Sequence, residues 1–166
     1  MPRLEEYQGK RLLAKFGIKV PEGGTATNSE EAKAIALSIG GPFVVKAQVG
    51  TTGRKGLGGV QFADSPEQAE RIASDMLRRL VRGLRVSRVL VEQRIPIEHE
   101  YYASIVVNDS YLVKAPVVMV SNLGGSGIEE IAAESPDRVR TIPIDILDGL
   151  DARKIEQAFC NMGEDE

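Results

Sequence analysis

The chain has 166 residues, of which 42% are hydrophobic and 27% charged, with a net charge of −3. This composition is typical of a globular protein that buries its own core, and the slightly acidic balance excludes a polycation that coats nucleic acid. Cys160 is the single cysteine, so no internal disulfide can form. No apolar run approaches the roughly 20 residues of a membrane helix, and the opening MPRLEEYQGK lacks the apolar core of a signal peptide. We therefore expect neither nucleic acid nor a membrane as a partner.

In chain order, apolar periodicity and end signals predict helices and strands that alternate. Asn28 and Ser65 are predicted to cap the second and third helices. The predicted helices span residues 4–17, 27–41, 64–81, 128–135 and 151–163. The predicted strands span residues 18–24, 43–49, 59–63, 87–95, 100–107, 111–121 and 141–146. The order, αβαββαβ followed by ββαβα, predicts an α/β (α+β) protein of two lobes that divide near residues 93–96.

A glycine-rich, basic loop joins the strands predicted over 43–49 and 59–63. Its glycines let backbone N–H groups approach an anion closely, and Arg54 and Lys55 add positive charge. The loop suits a polyphosphate, and a flexible surface hairpin is the alternative. A P-loop is excluded because no Gly-Lys-Ser/Thr triplet opens a helix, and a dinucleotide fingerprint is excluded because a strand follows the glycines.

Lys46 lies in the strand just before this loop, on the face that also carries Val44 and Gln48. A buried ammonium is costly without a partner. Lys46 is therefore either an exposed edge lysine or a lysine that reaches toward phosphates held by the loop. Glu92 ends a strand and Glu100 begins the next one, and each is either a surface charge or part of a nucleotide site.

Other candidate residues carry less information. His99, the only histidine, is assigned neither as a catalytic base nor as a metal ligand. Seven arginines between Arg71 and Arg94 form either a solvated face or a patch that binds an anion or a partner. The second glycine loop, 121–127, precedes acidic residues that oppose phosphate binding, which favours a structural role or a subunit contact.

Four segments resemble, in the same order, the N-terminal part of the β subunit of succinyl-CoA synthetase, an ATP-grasp acid–CoA ligase. They are LEEYQGKRLLAKFGIKVP, FVVKAQVGTTGRKGLGGV, VLVEQRIPIEHEYYASI and GGSGIEEIAAESPDRV. The similarity runs from about Leu4 to about Leu150. It implies an ATP-grasp fold with nucleotide held between two lobes, of which this chain is the N-terminal part. By this resemblance, 1–20 is a helix packing on the second lobe, 21–95 the nucleotide-binding lobe and 96–166 the start of the second lobe.

The resemblance also implies a set of nucleotide contacts. On the phosphate side, Lys46 contacts the phosphates, and Gly53, Arg54 and Lys55 supply the loop that covers them. This chain departs from the family in the same loop: Gly50 replaces the family's histidine, and GRKGLGG replaces its GRGKAGG.

On the adenine side, the resemblance implies that Glu92 and the backbone near Ile95 hold the base and that Glu100 faces the nucleotide. No catalytic residue is assigned in this chain, because the phosphorylated histidine of the family belongs to its α subunit.

The implied function is the ATP-binding part of an ADP-forming succinate–CoA ligase, which converts acid, CoA and ATP to acyl-CoA, ADP and phosphate. ATP or ADP is the implied cofactor, with Mg²⁺ ligands outside this chain. The implied partners are an α subunit with a phosphohistidine and CoA site, CoA, and a small carboxylate. We expect a cytoplasmic or mitochondrial-matrix protein of the tricarboxylic acid cycle, inactive as an isolated chain. The alternatives are a ligase for malate, citrate or acetate, and a non-catalytic module that binds nucleotide or a partner.

Overall fold

The computed structural model describes residues 4–51, 55–108, 114–124 and 135–162. The chain forms two compact units, Met1–Pro96 and Ile97–Glu166. Both units combine helices with antiparallel sheets, which confirms the predicted α/β (α+β) class. The division of 21–95 from 96–166 by role, and the packing of residues 1–20 on the second lobe, stay predictions.

The first unit is built around a four-stranded antiparallel sheet in the order β1-β6-β2-β3. Its helices are α1 (Glu6–Lys15), α2 (Ser29–Ile39) and α3 (Pro66–Leu77). Its strands are β1 (Gly23–Ala26), β2 (Phe43–Ala47), β3 (Val60–Ala63), β4 (Leu80–Val81), β5 (Leu84–Arg85) and β6 (Val89–Gln93). The predicted hairpin of β2 and β3 is confirmed, with the glycine loop between them.

One face of this sheet packs against α2 and α3. Alternation along β2 and β6 sends Val45, Ala47 and Val91 into that core, where they are fully buried. The predicted caps are confirmed, since the side chains of Asn28 and Ser65 accept hydrogen bonds from backbone N–H groups three residues on. Local signals therefore define both helices that cover the core.

The third helix is shorter than predicted. It ends at Leu77 rather than residue 81, because Leu80–Val81 pairs with Leu84–Arg85 in a small hairpin. The two residues of the turn, Arg82 and Gly83, have φ angles of 51° and 76°. Positive φ at both positions is the geometry of a tight hairpin turn, and a helix cannot continue through it.

The helix α1 is confirmed but lies on the opposite face of the sheet, the face that carries Lys46. The apolar residues that predicted this helix, among them Leu12, Leu13 and Phe16, are exposed, and the helix has no buried residue. Its first two turns instead make polar contacts, through the side chains of Glu6 and Lys10 and the backbone N–H of Tyr7.

The second unit contains a three-stranded antiparallel sheet in the order β7-β8-β9 and a helix. The elements are β7 (Tyr102–Asn108), β8 (Ala115–Ser121), β9 (Val139–Pro143) and α4 (Ala152–Cys160). The predicted hairpin of β7 and β8 is confirmed. The core lies between the sheet and α4, with Val120, Ile142 and Ala158 among its buried residues. The helix predicted over 128–135 lies outside the described residues, apart from Ser135. In the described parts of the chain, no helix has the length and apolar character needed to cross a membrane.

Candidate functional site

Lys46 lies in a compact cluster of four charged side chains on the α1 face of the sheet. Its Nζ atom is 2.8 Å from Glu6 Oε1 and 2.5 Å from Glu92 Oε1. Lys10 Nζ is 2.5 Å from Glu92 Oε2 and 3.1 Å from Glu6 Oε1. Each carboxylate thus binds both ammonium groups, and the four side chains carry two negative and two positive charges.

Glu92 is the buried member of this cluster. Its side chain is 3% exposed, whereas those of Lys46 and Glu6 are 20% and 21% exposed. Residues of β1 and β2 pair with Glu92 on either side, namely Gly23 and Val44. A buried carboxylate needs paired charges and hydrogen bonds, and the two lysines supply them. Of the two alternatives that the sequence leaves open for Glu92, burial excludes the ordinary surface charge.

The cluster shifts the ionisation of its members. Burial raises the pKa of Glu6, but hydrogen bonds and charge from Lys46 and Lys10 outweigh it and lower the pKa to about 2. Burial lowers the pKa of Lys46, but the carboxylates of Glu6 and Glu92 outweigh it and the pKa is raised. Both side chains therefore stay charged at neutral pH, and Lys46 is a permanent cation on this face.

Polar contacts hold α1 against the sheet beside this cluster. The fully buried Gln48 accepts a hydrogen bond at 3.2 Å from the backbone N–H of Tyr7, in the first turn of the helix, and donates one to Lys46 O. Arg88 donates a hydrogen bond of 2.6 Å to the Tyr7 hydroxyl, and its guanidinium lies 5.2 Å from the ring centroid. A free helix N-terminus has unpaired N–H groups, and Gln48 satisfies one of them.

A cavity of about 140 Å³ opens next to the cluster, between α1 and the β1–β6 edge of the sheet. Its charged lining residues are Lys10, Arg11 and Glu92, and its apolar ones include Val20 and Leu90. This apolar slot has one carboxylate and two cations at its side, and it is smaller than the roughly 300–1,000 Å³ of typical small-molecule sites, so it has room for only part of a nucleotide.

The other predicted site residues are placed differently. Gly53 and Arg54 lie outside the described residues, and Lys55 begins a 3₁₀ turn, Lys55–Leu57. Ile95 and Glu100 are exposed, and each lies outside the helices and strands. The structure thus brings together Lys46 and Glu92, and the rest of the predicted set stays a prediction.

Sequence reasoning did not include Glu6, Lys10 or Gln48 in the site. The spacing of four residues between Glu6 and Lys10 is a signal for an ion pair on one helix face. Nothing local indicates that this pair meets Lys46, which is 40 residues away along the chain.

Among the residues that the structure describes, no group of three or more His, Cys, Asp and Glu side chains could hold a metal ion. His99 instead donates a hydrogen bond of 2.5 Å from Nε2 to the backbone oxygen of Asn122.

A comparison with known protein families identifies the family to which this fold belongs. The family described as the ATP-grasp domain matches residues 3–165. The chain belongs to the ATP-grasp domain family.

Solved structures share the fold of this ATP-grasp chain at low sequence identity. The dinucleotide-forming acetyl-coenzyme A synthetase 1 of Ca. Korarchaeum cryptofilum has a TM-score of 0.68 at 21% identity, covering 96% of this chain and 78% of that one. ATP citrate lyase of Methanosaeta concilii has a TM-score of 0.59 at 19% identity, covering 96% and 41%. The predicted ATP-grasp fold is confirmed.

Curated relatives of this ATP-grasp chain share more of its sequence. Subunit β 1 of an ADP-forming succinate–CoA ligase from Archaeoglobus fulgidus is 44% identical over 161 residues, 97% of this chain and 42% of the relative. The β subunit of a GDP-forming succinate–CoA ligase from Thermus thermophilus is 43% identical over 142 residues, 86% of this chain and 37% of the relative. The chain thus spans about two-fifths of the length of these relatives.

Proposed function

We propose that this chain is the nucleotide-binding part of the β subunit of an ADP-forming succinate–CoA ligase. The observation that carries the proposal is the position of Lys46, a permanent cation fixed on β2 immediately before the glycine loop. The names of the relatives supply the reaction class.

The phosphates of the nucleotide are proposed to bind Lys46 and the loop residues Gly53, Arg54 and Lys55. An ammonium that is already oriented loses little side-chain entropy when it binds an anion, and hydrogen bonds from charged donors are the stronger ones. The surrounding carboxylates orient Lys46 in this way.

The base is proposed to lie along Glu92 and the backbone near Ile95, with Glu100 as a further contact. A carboxylate accepts hydrogen bonds from an amino group or a ribose hydroxyl, and each of its oxygens has two lone pairs. The lysines occupy one direction on each Glu92 oxygen, so further donors remain possible. The apolar slot beside Glu92 supports this placement.

In the proposed reaction, acid, CoA and ATP give acyl-CoA, ADP and phosphate, with a phosphohistidine on an α subunit as the carrier. The α subunit, CoA and succinate are the proposed partners, and Mg²⁺ is expected to accompany ATP. The identity of the acid is tested by mixing the protein with an α subunit, CoA and ATP and measuring the release of ADP. The rate with succinate is compared with the rates with malate, citrate and acetate.

Nucleotide binding is tested by titrating ATP into the wild-type protein and into Lys46→Ala. We expect the variant to bind about 10- to 100-fold more weakly, because a hydrogen bond to a charged group contributes about 1.5–3 kcal/mol. Lys33→Ala is the matched control, since Lys33 pairs with Glu67 and Glu70 on the helices of the other face. Equal dissociation constants for wild type and Lys46→Ala would reject the proposed site.

A further inference from the structure

We infer that Glu6 is a positioning residue that occupies the Lys46 ammonium in the absence of nucleotide, and that nucleotide phosphate replaces Glu6 there. The inference rests on the proposed nucleotide-binding function and deepens it. It assigns the first turn of α1 a role in setting the affinity for phosphate.

The geometry shows why Glu6, and not Glu92, is the carboxylate that exchanges. Glu92 is buried in a strand that is paired on both sides. Glu6 lies in the first turn of a helix, with its side chain 21% exposed. A carboxylate at a helix start with solvent access can change its rotamer without moving the sheet.

The exchange is inexpensive because Lys10 remains. Glu6 Oε1, the oxygen that contacts Lys46, is also 3.1 Å from Lys10 Nζ, so Lys10 is a nearby cation toward which the Glu6 carboxylate can turn when it leaves Lys46. Glu92 likewise keeps Lys10 at 2.5 Å through its other oxygen. Neither carboxylate is left without a cation, which is the condition that makes breaking a half-buried ion pair costly.

The charge balance makes Glu6 the residue that limits affinity. With Glu6 present, the four charges of Glu6, Lys10, Lys46 and Glu92 cancel, and a polyphosphate gains little from approaching them. Without the charge of Glu6, the same group carries one net positive charge and attracts an anion. Phosphate affinity should therefore follow the net charge of this cluster.

Three variants test this rule by titration with ATP, and with adenosine as the probe that lacks phosphate. Glu6→Gln, with a cluster charge of +1, should bind ATP about tenfold more tightly, a change of about 1.4 kcal/mol in the free energy of binding. Lys10→Met, with a charge of −1, should bind ATP more weakly by a similar factor. The double variant restores a charge of zero and should return to near the wild-type affinity. Adenosine affinity should be unchanged in Glu6→Gln. Lys10 lines the slot proposed for the base, so Lys10→Met and the double variant are judged by the change in ATP affinity relative to the change in adenosine affinity.

The control is Glu30→Gln, which makes the same charge change in the first turn of α2, on the other face of the sheet. It should leave ATP affinity unchanged. A role of Glu6 in holding α1 alone would weaken binding of both ATP and adenosine, and would make the double variant worse than either single one.

The outcomes separate this inference from the proposed function. Loss of ATP binding in Lys46→Ala without tighter binding in Glu6→Gln overturns the exchange and leaves the proposed site standing. Equal binding by wild type and Lys46→Ala overturns both. If Glu6→Gln does not fold, as judged by circular dichroism, Lys10→Met decides the charge rule: an ATP affinity that falls no more than its adenosine affinity overturns it.

Discussion

Replacing Glu6 by glutamine is expected to destabilise the protein by an amount that depends on pH. The pKa of Glu6 is lowered from its ordinary value of 4.5 to about 2, because Lys46 and Lys10 outweigh the effect of burial. Each pKa unit corresponds to 1.36 kcal/mol, so the ionised Glu6 contributes about 3 kcal/mol at neutral pH. A lowered pKa in the folded state means that this stability is present above pH 4.5 and is lost as pH falls toward 2. About 2 kcal/mol of it should be gone at pH 3.

The assay is urea denaturation of wild type and Glu6→Gln at several pH values between 7 and 3. Other carboxylates titrate in both proteins, so the difference between the two free energies of unfolding isolates Glu6. That difference should shrink by about 2 kcal/mol from pH 7 to pH 3. Glu30→Gln, which removes an exposed carboxylate outside the cluster, is the matched control. A Glu6 difference that stays constant across the range would refute the assignment of the ion cluster as the cause of the lowered pKa.

Two further stability effects follow from the first unit. Gly23→Ala should destabilise the protein by about 1–3 kcal/mol, because a Cβ there would lie 2.7 Å from Glu92 Cβ and 2.8 Å from its Cα. Gly9→Ala should stabilise the protein by about 0.5–1 kcal/mol, because Gly9 lies in α1 with open space where the Cβ would be. Thermal unfolding of both variants tests these two predictions, and changes in stability of the same sign would contradict them. Gln48→Leu should cost about 1–3 kcal/mol and raise amide hydrogen exchange in α1, since the N–H of Tyr7 loses its acceptor. Unchanged exchange in α1 would show that Gln48 does not hold the helix.

The order of elements was predictable because its signals are local. Capping by Asn28 and Ser65 involves residues three positions apart, and strand alternation places Lys46 on its face without any knowledge of the neighbouring strands. The predicted end of α3 at residue 81 was wrong because a hairpin turn at Arg82–Gly83 overrides the helical pattern before it. Arg82 has a positive φ, although it is not a glycine.

The resemblance placed Lys46 and Glu92 in one site, but the contribution of α1 to that site was not predictable from the sequence. Glu6 is 40 residues from Lys46 along the chain, and Lys10 is 82 residues from Glu92. The apolar spacing of α1 predicted the helix correctly but indicated nothing about its orientation, since its polar residues contact the sheet and Leu12, Leu13 and Phe16 do not. Rules based on apolar patterns assume that the apolar face of a helix packs on the core. In α1, the ion pairs and the hydrogen bond to the Gln48 amide determine which face contacts the sheet.

The two kinds of helix attachment in the first unit respond differently to solvent. Helices α2 and α3 are held by buried alanine, isoleucine and methionine side chains, and salts such as sulfate strengthen contacts of that kind. Helix α1 is held in part by ion pairs at a partly exposed surface, and added sodium chloride weakens such pairs, by less than it weakens fully exposed ones. Ionic strength can therefore weaken the attachment of one helix of the unit while leaving its core intact. The contacts of Lys46 then change without any change in sequence.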